Sequence, residues 1–512
     1  MNLLEIIIFL LLCAVALGWV SRRAGLPYPI ALVIGGAMLG FVPGLPQLEF
    51  DPTFLLVLVL PPILYQAALL TSWRDFKANI RPIGLLAIGL VIVTTLVVGA
   101  ALKFLIPDIP WAVAFAFGAI VSPPDAVAAT AILSKLNMPR RIVTVLEGES
   151  LVNDASGLVL YKFAVAAALS GVFSLFDATV QFVLVSIGGI AVGMLIGGVF
   201  VALHRYLGDP FIEVLLSLSV PYLAYVGAES VHVSGVLAVV AAGLLRGRYS
   251  PKMVSAEMRI LARSVWNILV FMLNSLIFIL IGLQLSGVIS RLEGYTGWDL
   301  AAYSLAVSMV AIVVRFAWVY FAEYLPAWIG RVMKKRVAPP LPGEAFIVSW
   351  CGMRGIVSLA AALALPSQLE YRDLMIFLTF VVILVTLVVQ GLTLAPLIRQ
   401  VQLGTDHSSL EEYQLARSSM GKAALAAIER SAEQANVQPD VVDRIRVEFA
   451  ERMSAATMIE QVSGSYSHAT RLRLSAVRAE RDELIRLWQE GAIGDEVLHH
   501  LEEELDYEES RF

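Results

Sequence analysis

Apolar runs of about 18 or more residues recur along the first 400 positions, the length a helix needs to cross a bilayer. Thirteen segments stand out, at roughly 3–20, 28–43, 52–70, 82–105, 110–134, 146–171, 178–203, 211–230, 233–247, 261–287, 299–324, 343–366 and 373–399. Beyond residue 400 the pattern changes to polar helices with narrow apolar stripes, for example Leu484, Leu487 and Trp488, then Val497, Leu498 and Leu501. The pattern predicts an all-α polytopic membrane protein of 13 transmembrane helices. A membrane body would occupy 1–400 and a soluble helical tail 401–512.

Two segments carry breaks. The fifth reads Ala-Ile-Val-Ser-Pro-Pro-Asp-Ala-Val-Ala-Ala across 119–129. Pro123 and Pro124 have no N–H, so the carbonyls of Ala119 and Ile120 lose their helical donors. Ser122 and Pro123 are also pushed away from α geometry. Asp125 is then expected at the start of a new half-helix, where a carboxylate suits the positive end of the helix dipole. The twelfth segment reads Trp-Cys-Gly-Met-Arg-Gly-Ile-Val-Ser across 350–358, which sets Arg354 between two glycines at mid-membrane. The two breaks are an odd number of spans apart, so their helices cross in opposite directions. That is the sign of inverted repeats with a site at the midplane. Unrelated proline and glycine kinks, common in membrane helices, would look the same.

Charge orients the segments. The chain is 58% hydrophobic and 15% charged, against about 25% charged in soluble domains. Residues 401–512 hold 22 of the 42 acidic side chains and 12 of the 37 basic ones, so the tail is acidic and the body slightly basic. Loops after odd-numbered segments, with the segment ends beside them, hold 18 Lys and Arg, and those after even-numbered segments hold three. The positive-inside rule therefore places the N-terminus outside and the tail in the cytoplasm. Met-Asn-Leu-Leu-Glu before the first run is not a basic leader, which reads as a retained first span. Cys13 and Cys351 lie in apolar segments and imply neither a disulfide nor a redox role.

Each charge inside a span costs about 2.5–3.5 kcal/mol on insertion scales. The densest group opens the sixth segment: Glu149-Ser150-Leu151-Val152-Asn153-Asp154. At ~100° per residue, Glu149 stacks on Asn153 and Ser150 on Asp154, all within a sector of about 140°. Such oxygen donors suit a hard cation, and free carbonyls at the fifth-segment break would add to them. Arg354 is permanently charged and needs an anion; Glu149 and Asp154 are nearest by depth. If Glu149 pairs with Arg354, Asp154 is left to bind either a proton or a cation. Lys162 is expected in a structural pair, and Glu213 and Glu229 at interfacial or interhelical positions. Arg315 is expected in cation–π packing among Phe316, Trp318 and Tyr320, and His232 in a loop. Gln66 is polar at membrane depth.

Gly148-Glu149-Ser150-Leu151-Val152-Asn153-Asp154 resembles the signature of the sodium–proton exchangers of the monovalent cation:proton antiporter-1 family. Leu60-Pro61-Pro62-Ile63, the Pro-Asp-Ala-Val-Ala break, Ala228-Glu229 before Ser234-Gly235, Gly352-Met353-Arg354-Gly355 and Val389-Gln390-Gly391-Leu392-Thr393 agree in order. The tail resembles the family only through Leu505-Asp506-Tyr507-Glu508. The resemblance implies a plasma-membrane homodimer with a role in pH homeostasis. A core, roughly 82–171 and 299–399, would move as an elevator against a dimerisation part made of the remaining spans. It implies electroneutral one-for-one exchange of a monovalent cation, sodium first, for protons. Asp154 would carry cation and proton, Ser150 would be a hydroxyl ligand, and a backbone carbonyl near Pro124 a further one, with Ser122 beside it. Asn153 and Asp125 would support the site, and Glu149 would pair with Arg354. No cofactor and no nucleic-acid partner are implied; Na+, Li+ or K+ and H+ are substrates. The sequence departs from the family at Gln66, where many members carry Asp or Glu, and in the Ser-Pro-Pro-Asp order of the break.

A cation channel or a potassium–proton antiporter could use the same site, although a channel needs no proton-competing carboxylate. An organic-anion carrier would want basic residues, and only Arg354 and Lys162 could serve. A primary pump is disfavoured because no G-x-x-x-x-G-K-[ST] loop is present. The chain reads as a transporter and not an enzyme.

Overall fold

The computed structural model describes residues 3–24, 27–42, 57–133, 136, 138–171, 174–204, 206–253, 256–292, 294–332, 342–401, 407–435, 438–458, 463–490, 497–498, 501–502 and 504–506. Lys135, Arg205, Lys334, Lys335 and Arg336, counted among the loop cations, and Tyr507 and Glu508 of the tail resemblance lie outside the described residues. Among those described there is helix and no strand. Clustering of contacts gives two compact units, Met1–Thr405 and Asp406–Phe512.

The body runs through α1 (Leu3–Ala24), α2 (Tyr28–Gly40), α3 (Leu60–Leu70), α4 (Ile80–Leu105), α5 (Trp111–Val121), α6 (Ala126–Leu133), α7 (Arg140–Ser170) and α8 (Leu175–His204). It continues with α9 (Pro210–Ser230), α10 (Gly235–Met253), α11 (Ala256–Ser290), α12 (Gly297–Val332), α13 (Pro342–Trp350), α14 (Ile356–Leu363) and α15 (Arg372–Val401). A short helix, Trp73–Ala78, follows α3 and is capped by the Ser72 hydroxyl. By length and composition, 8 helical stretches among the described residues can cross a membrane: α4, the broken pair α5–α6, α7, α8, α9, α11, α12 and α15. The described part of each apolar sequence segment lies on one of these helices, and the fifth and twelfth segments each lie on two.

Small residues bring the helices together, as packing without a hydrophobic driving force requires. A Cβ at Gly36 of α2 would fall 2.3 Å from the Ile279 carbonyl oxygen of α11, and one at Gly282 would fall 2.3 Å from that of Val33. Gly193 of α8 meets the Ala238 carbonyl of α10 in the same way, at 2.1 Å. Three apolar clusters result. One joins α2, α11 and α15 through Leu32, Phe278 and Ile383. A second joins α4, α5, α12 and α15 through Val98, Phe117, Val307 and Leu378. A third joins α3, α10 and α11 through Tyr65, Ala238 and Trp266.

The two breaks satisfy each other. Asp125 N–H, which would close the helical turn onto Val121, donates instead to the Met353 carbonyl at 2.7 Å. The Val121 carbonyl accepts from Arg354 Nε at 3.0 Å. Arg354 Nη1 also donates to the Gly352 carbonyl, and the Arg354 N–H donates to Thr386 Oγ1 at 3.1 Å. Irregular backbone at membrane depth is tolerated only where protein supplies such partners. The π-helical turn Leu85–Leu90 of α4 is served likewise. Its Leu85 carbonyl accepts from Trp318 Nε1 at 2.9 Å and its Ala87 carbonyl from Ser156 Oγ.

The structure corrects the expected Glu149–Arg354 pair. Glu149 and Arg315 are each 1% exposed, and they form a bidentate pair at 2.6 and 2.9 Å. Arg315 also donates to the Val348 and Ser349 carbonyls at the end of α13. Arg354 cannot compete because its guanidinium is turned onto the end carbonyl of α5. The cation–π reading of Arg315 falls with it; among the described residues that contact is made by Arg23 over Trp19 at 4.3 Å. Lys162 pairs with Glu229 at 3.3 Å, and Glu213 lies 3.4 Å from His204, both between helices.

The tail contains α16 (His407–Ala435), α17 (Pro439–Met458) and α18 (Ser463–Gln489). Arg446 of α17 pairs with Glu429 of α16. Arg486 bonds both Glu483 and Glu490, and its hydrogen bonds hold the Glu483 carboxyl below the usual range.

Removing one partner of a buried pair leaves an uncompensated charge, at a cost of about 3–5 kcal/mol. Arg315→Ala and Glu149→Gln should therefore each cut the yield or lower the melting temperature of the solubilised protein. Wild-type values for both would mean that the pair contributes nothing to the fold. Gly355→Ala tests the contact between the breaks, since its Cβ would lie 1.8 Å from Asp125 Oδ2. It should destabilise the body measurably; an unchanged melting temperature would show that Asp125 is not held there.

Candidate ion-binding site

A cavity of about 290 Å³ lies where α7 faces the two breaks. Helix α7 presents Glu147, Ser150 and Asp154 to it, at i, i+3 and i+7 on one face. The fifth-segment break adds Pro123, Pro124 and Asp125, and the start of α14 adds Gly355 to Ser358. Thr130 of α6, Gln66 of α3 and Asn274 of α11 complete the polar lining.

The breaks place the donors. Asp125 caps two half-helices at once: Val127 N–H donates to its Oδ1 at 2.8 Å and Ile356 N–H to its Oδ2 at 3.4 Å. Both N–H groups belong to helix N-termini, where a carboxylate is favoured. Ser150 Oγ accepts from the Ala126 N–H at 3.4 Å, so α7 braces the start of α6. Asn153 Nδ2 donates to the Pro124 carbonyl at 3.0 Å and holds that oxygen at the cavity wall. The other amide atom, Asn153 Oδ1, is buried without a partner among the described residues. Asp154 is 6% exposed. Among the described residues it has no ion-pair partner, in contrast to Glu149 held by Arg315.

Not every sequence candidate reaches the cavity. Ser122 is fully buried and does not line it; its hydroxyl donates to the Ala119 carbonyl at 3.0 Å. Ser122 thus replaces the donor that Pro123 removed, which corrects its assignment as a ligand. Glu149 and Arg354 lie outside the lining and act through the backbone around it. Gln66 lines the cavity, and its Nε2 donates to Asn267 Oδ1 at 3.1 Å.

Three residues escaped the sequence reading. Glu147 shares the face of Ser150 and Asp154, a spacing visible in the sequence once those two are chosen. Asn274 and Ser358 are polar positions in largely apolar surroundings, each with a buried oxygen lacking a partner among the described residues. Only their placement marks them out.

The lining is therefore rich in oxygen: carboxylates, hydroxyls, amides and a freed carbonyl, the donor type hard cations prefer. Among the described residues no group of three or more His, Cys, Asp and Glu could hold a metal ion.

Comparison with known proteins agrees. The transmembrane model of the sodium/hydrogen exchangers matches residues 7–400. An uncharacterised Na+/H+ exchanger of Mycobacterium tuberculosis is 34% identical over 521 residues, covering 98% of this chain and 95% of that one. The sodium, potassium, lithium and rubidium/H+ antiporter of Bacillus subtilis is 31% identical over 521 residues, covering 97% of this chain and 76% of that one. The sodium proton antiporter of Methanocaldococcus jannaschii has a similar fold, with a TM-score of 0.64 at 20% identity over 78% of this chain and 98% of that one. On the match along the whole body, this chain belongs to the sodium/hydrogen exchanger family, whose members are membrane antiporters and not enzymes.

Proposed function

We propose that the chain exchanges a monovalent cation, sodium first, for protons, one for one and without net charge movement, with Asp154 carrying both. The observation that supports this is a buried carboxylate at a cavity wall with no ion-pair partner among the described residues, on the same helix as a carboxylate that has one. A carboxylate so placed can be neutralised by a proton or by a cation, and not by both. Ser150, the Pro124 carbonyl and Asn153 behind it would complete the cation's shell. Potassium and lithium are alternatives, since the Bacillus relative is named for several alkali cations.

The same reading takes the thirteen helical segments as thirteen spans, with the N-terminus outside and the tail in the cytoplasm of a plasma-membrane homodimer. In that orientation Leu70, Thr130 and Glu147 belong to cytoplasmic helix ends, so the cavity opens inward. Access from the other side would come from movement of the core against the remaining spans, with both breaks and α7 in the moving part.

Asp154→Asn should abolish exchange in proteoliposomes while the protein remains folded, because the shape is kept and only the titrating group is lost. Acidification should raise the apparent Michaelis constant for the cation more than it lowers the maximal rate. Residual saturable exchange in Asp154→Asn, or a current that scales with turnover on a solid-supported membrane, would defeat this reading. Gln66→Glu adds a carboxylate to the cavity wall and should shift cation affinity or the order among sodium, lithium and potassium. An unchanged profile would leave Gln66 as the partner of Asn267 alone. Cysteines placed at Asp108 and Lys77 test orientation: a membrane-impermeant reagent should label the first in intact cells and spare the second. The reverse pattern would invert the topology.

A further inference from the structure

A second cavity, of about 500 Å³, lies on the other side of Gln66, which together with Leu70 lines both. Its polar lining is cationic. Arg246 comes from α10, Arg259 and Arg263 come from α11, and Ser217 and Asn267 stand beside them, with no carboxylate among the described lining residues. Arg246 is only 6% exposed, and among the described residues no ion pair or hydrogen bond engages it. A guanidinium keeps its charge at any accessible pH, and a buried charge without a partner is strongly unfavourable. The cavity is therefore built to be completed by an anion.

Its chemistry selects the anion. Guanidinium groups present planar forks of N–H donors, which match the oxygens of phosphate in pairs. Ser217 and Asn267 add neutral hydrogen-bonding groups. Arg246 sits in the last turns of α10 and Arg259 and Arg263 in the first turns of α11, so the cavity occupies the junction of two helices at their ends. In the proposed orientation that junction is cytoplasmic, at the level where lipid phosphates attract basic side chains.

We propose that this cavity binds a phosphate group, carried by an acidic phospholipid or free in solution, and that occupancy lowers the Michaelis constant for the cation bound across Gln66. The coupling rests on the exchange reading above; the binding does not. Fixed positive charges beside the ion cavity oppose cation entry through a medium of low dielectric. A phosphate in their midst cancels that field, and Gln66, bonded to Asn267, forms the wall between the two cavities.

The full-length protein would be reconstituted in phosphatidylcholine alone, in phosphatidylcholine with phosphatidylglycerol, and in phosphatidylcholine with inorganic phosphate. Native mass spectrometry reads retained lipid, titration reads phosphate binding, and sodium-dependent proton flux reads the Michaelis constant. The expected result is binding of at least one of the two probes, with a severalfold fall in the Michaelis constant. Arg259→Gln/Arg263→Gln, at exposed positions, should weaken both effects at least tenfold; Arg246→Gln should do the same where it folds. Retained phosphatidylglycerol identifies the lipid as the source, and saturable phosphate binding identifies the soluble ion. Binding of neither probe, or equal binding in the double variant, overturns the site. Arginine-dependent binding with an unaltered Michaelis constant overturns the coupling alone. Absence of all exchange with binding intact would instead fault the reading of Asp154.

Discussion

A helix interrupted inside a membrane leaves N–H and C=O groups that neither water nor lipid can satisfy, and every one must find a partner in the protein. The arrangement around Asp154 follows from that constraint. The fifth-segment break gives up its bond to Val121 and sends the Asp125 N–H to Met353. The twelfth-segment break returns a donor, Arg354, to Val121. Each break supplies a partner for a group that the other leaves open, so two stretches more than 200 residues apart in sequence are tied together at the site. Gly355 is part of the lock because no side chain fits where the Asp125 carboxylate approaches.

Helix α7 stands against this junction and divides its polar face into separate tasks. Glu149 turns to α12 and, through Arg315, to the end of α13. Asn153 turns to the Pro124 carbonyl. Ser150 and Asp154 face the cavity with Glu147. A sector of about 140° that looks like one ligand set on a helical wheel is three neighbouring sectors with three partners. The bidentate pair to Arg315 fixes the rotation of α7, and that rotation aims Asp154.

The sequence made the segments, the breaks and the acidic tail legible because each is written in local composition or in prolines and glycines. The choice of partner for Glu149 was not. Arg315 and Arg354 are both buried arginines at comparable depth, and depth is all that a linear sequence gives. What separates them is direction. Arg354 has left the helix at the break and is free to turn along the chain's own carbonyls, whereas Arg315, on the continuous helix α12, projects sideways into its neighbours. Ser122 misled for a related reason: a hydroxyl beside two prolines answers first to the carbonyl that they orphan. Glu147 was overlooked because a carboxylate early in a span reads as interfacial until the cavity shows which face it shares.

The two arginines also enter the charge balance around the site. The broken helices bring two negative C-terminal ends and two positive N-terminal ends to one place. Arg354 covers the end of α5 and Arg315 the end of α13, while Asp125 covers the starts of both α6 and α14. Glu149 supplies the remaining negative charge opposite Arg315. Taken with their formal charges, these four side chains cancel. Of the two carboxylates left over at the cavity, Glu147 and Asp154, the proposed reading takes Asp154 as the one that a single positive unit neutralises, whether it arrives as a proton or as an alkali cation. On the proposed reading, the balance among four residues that never touch the ion is what sets one cation against one proton.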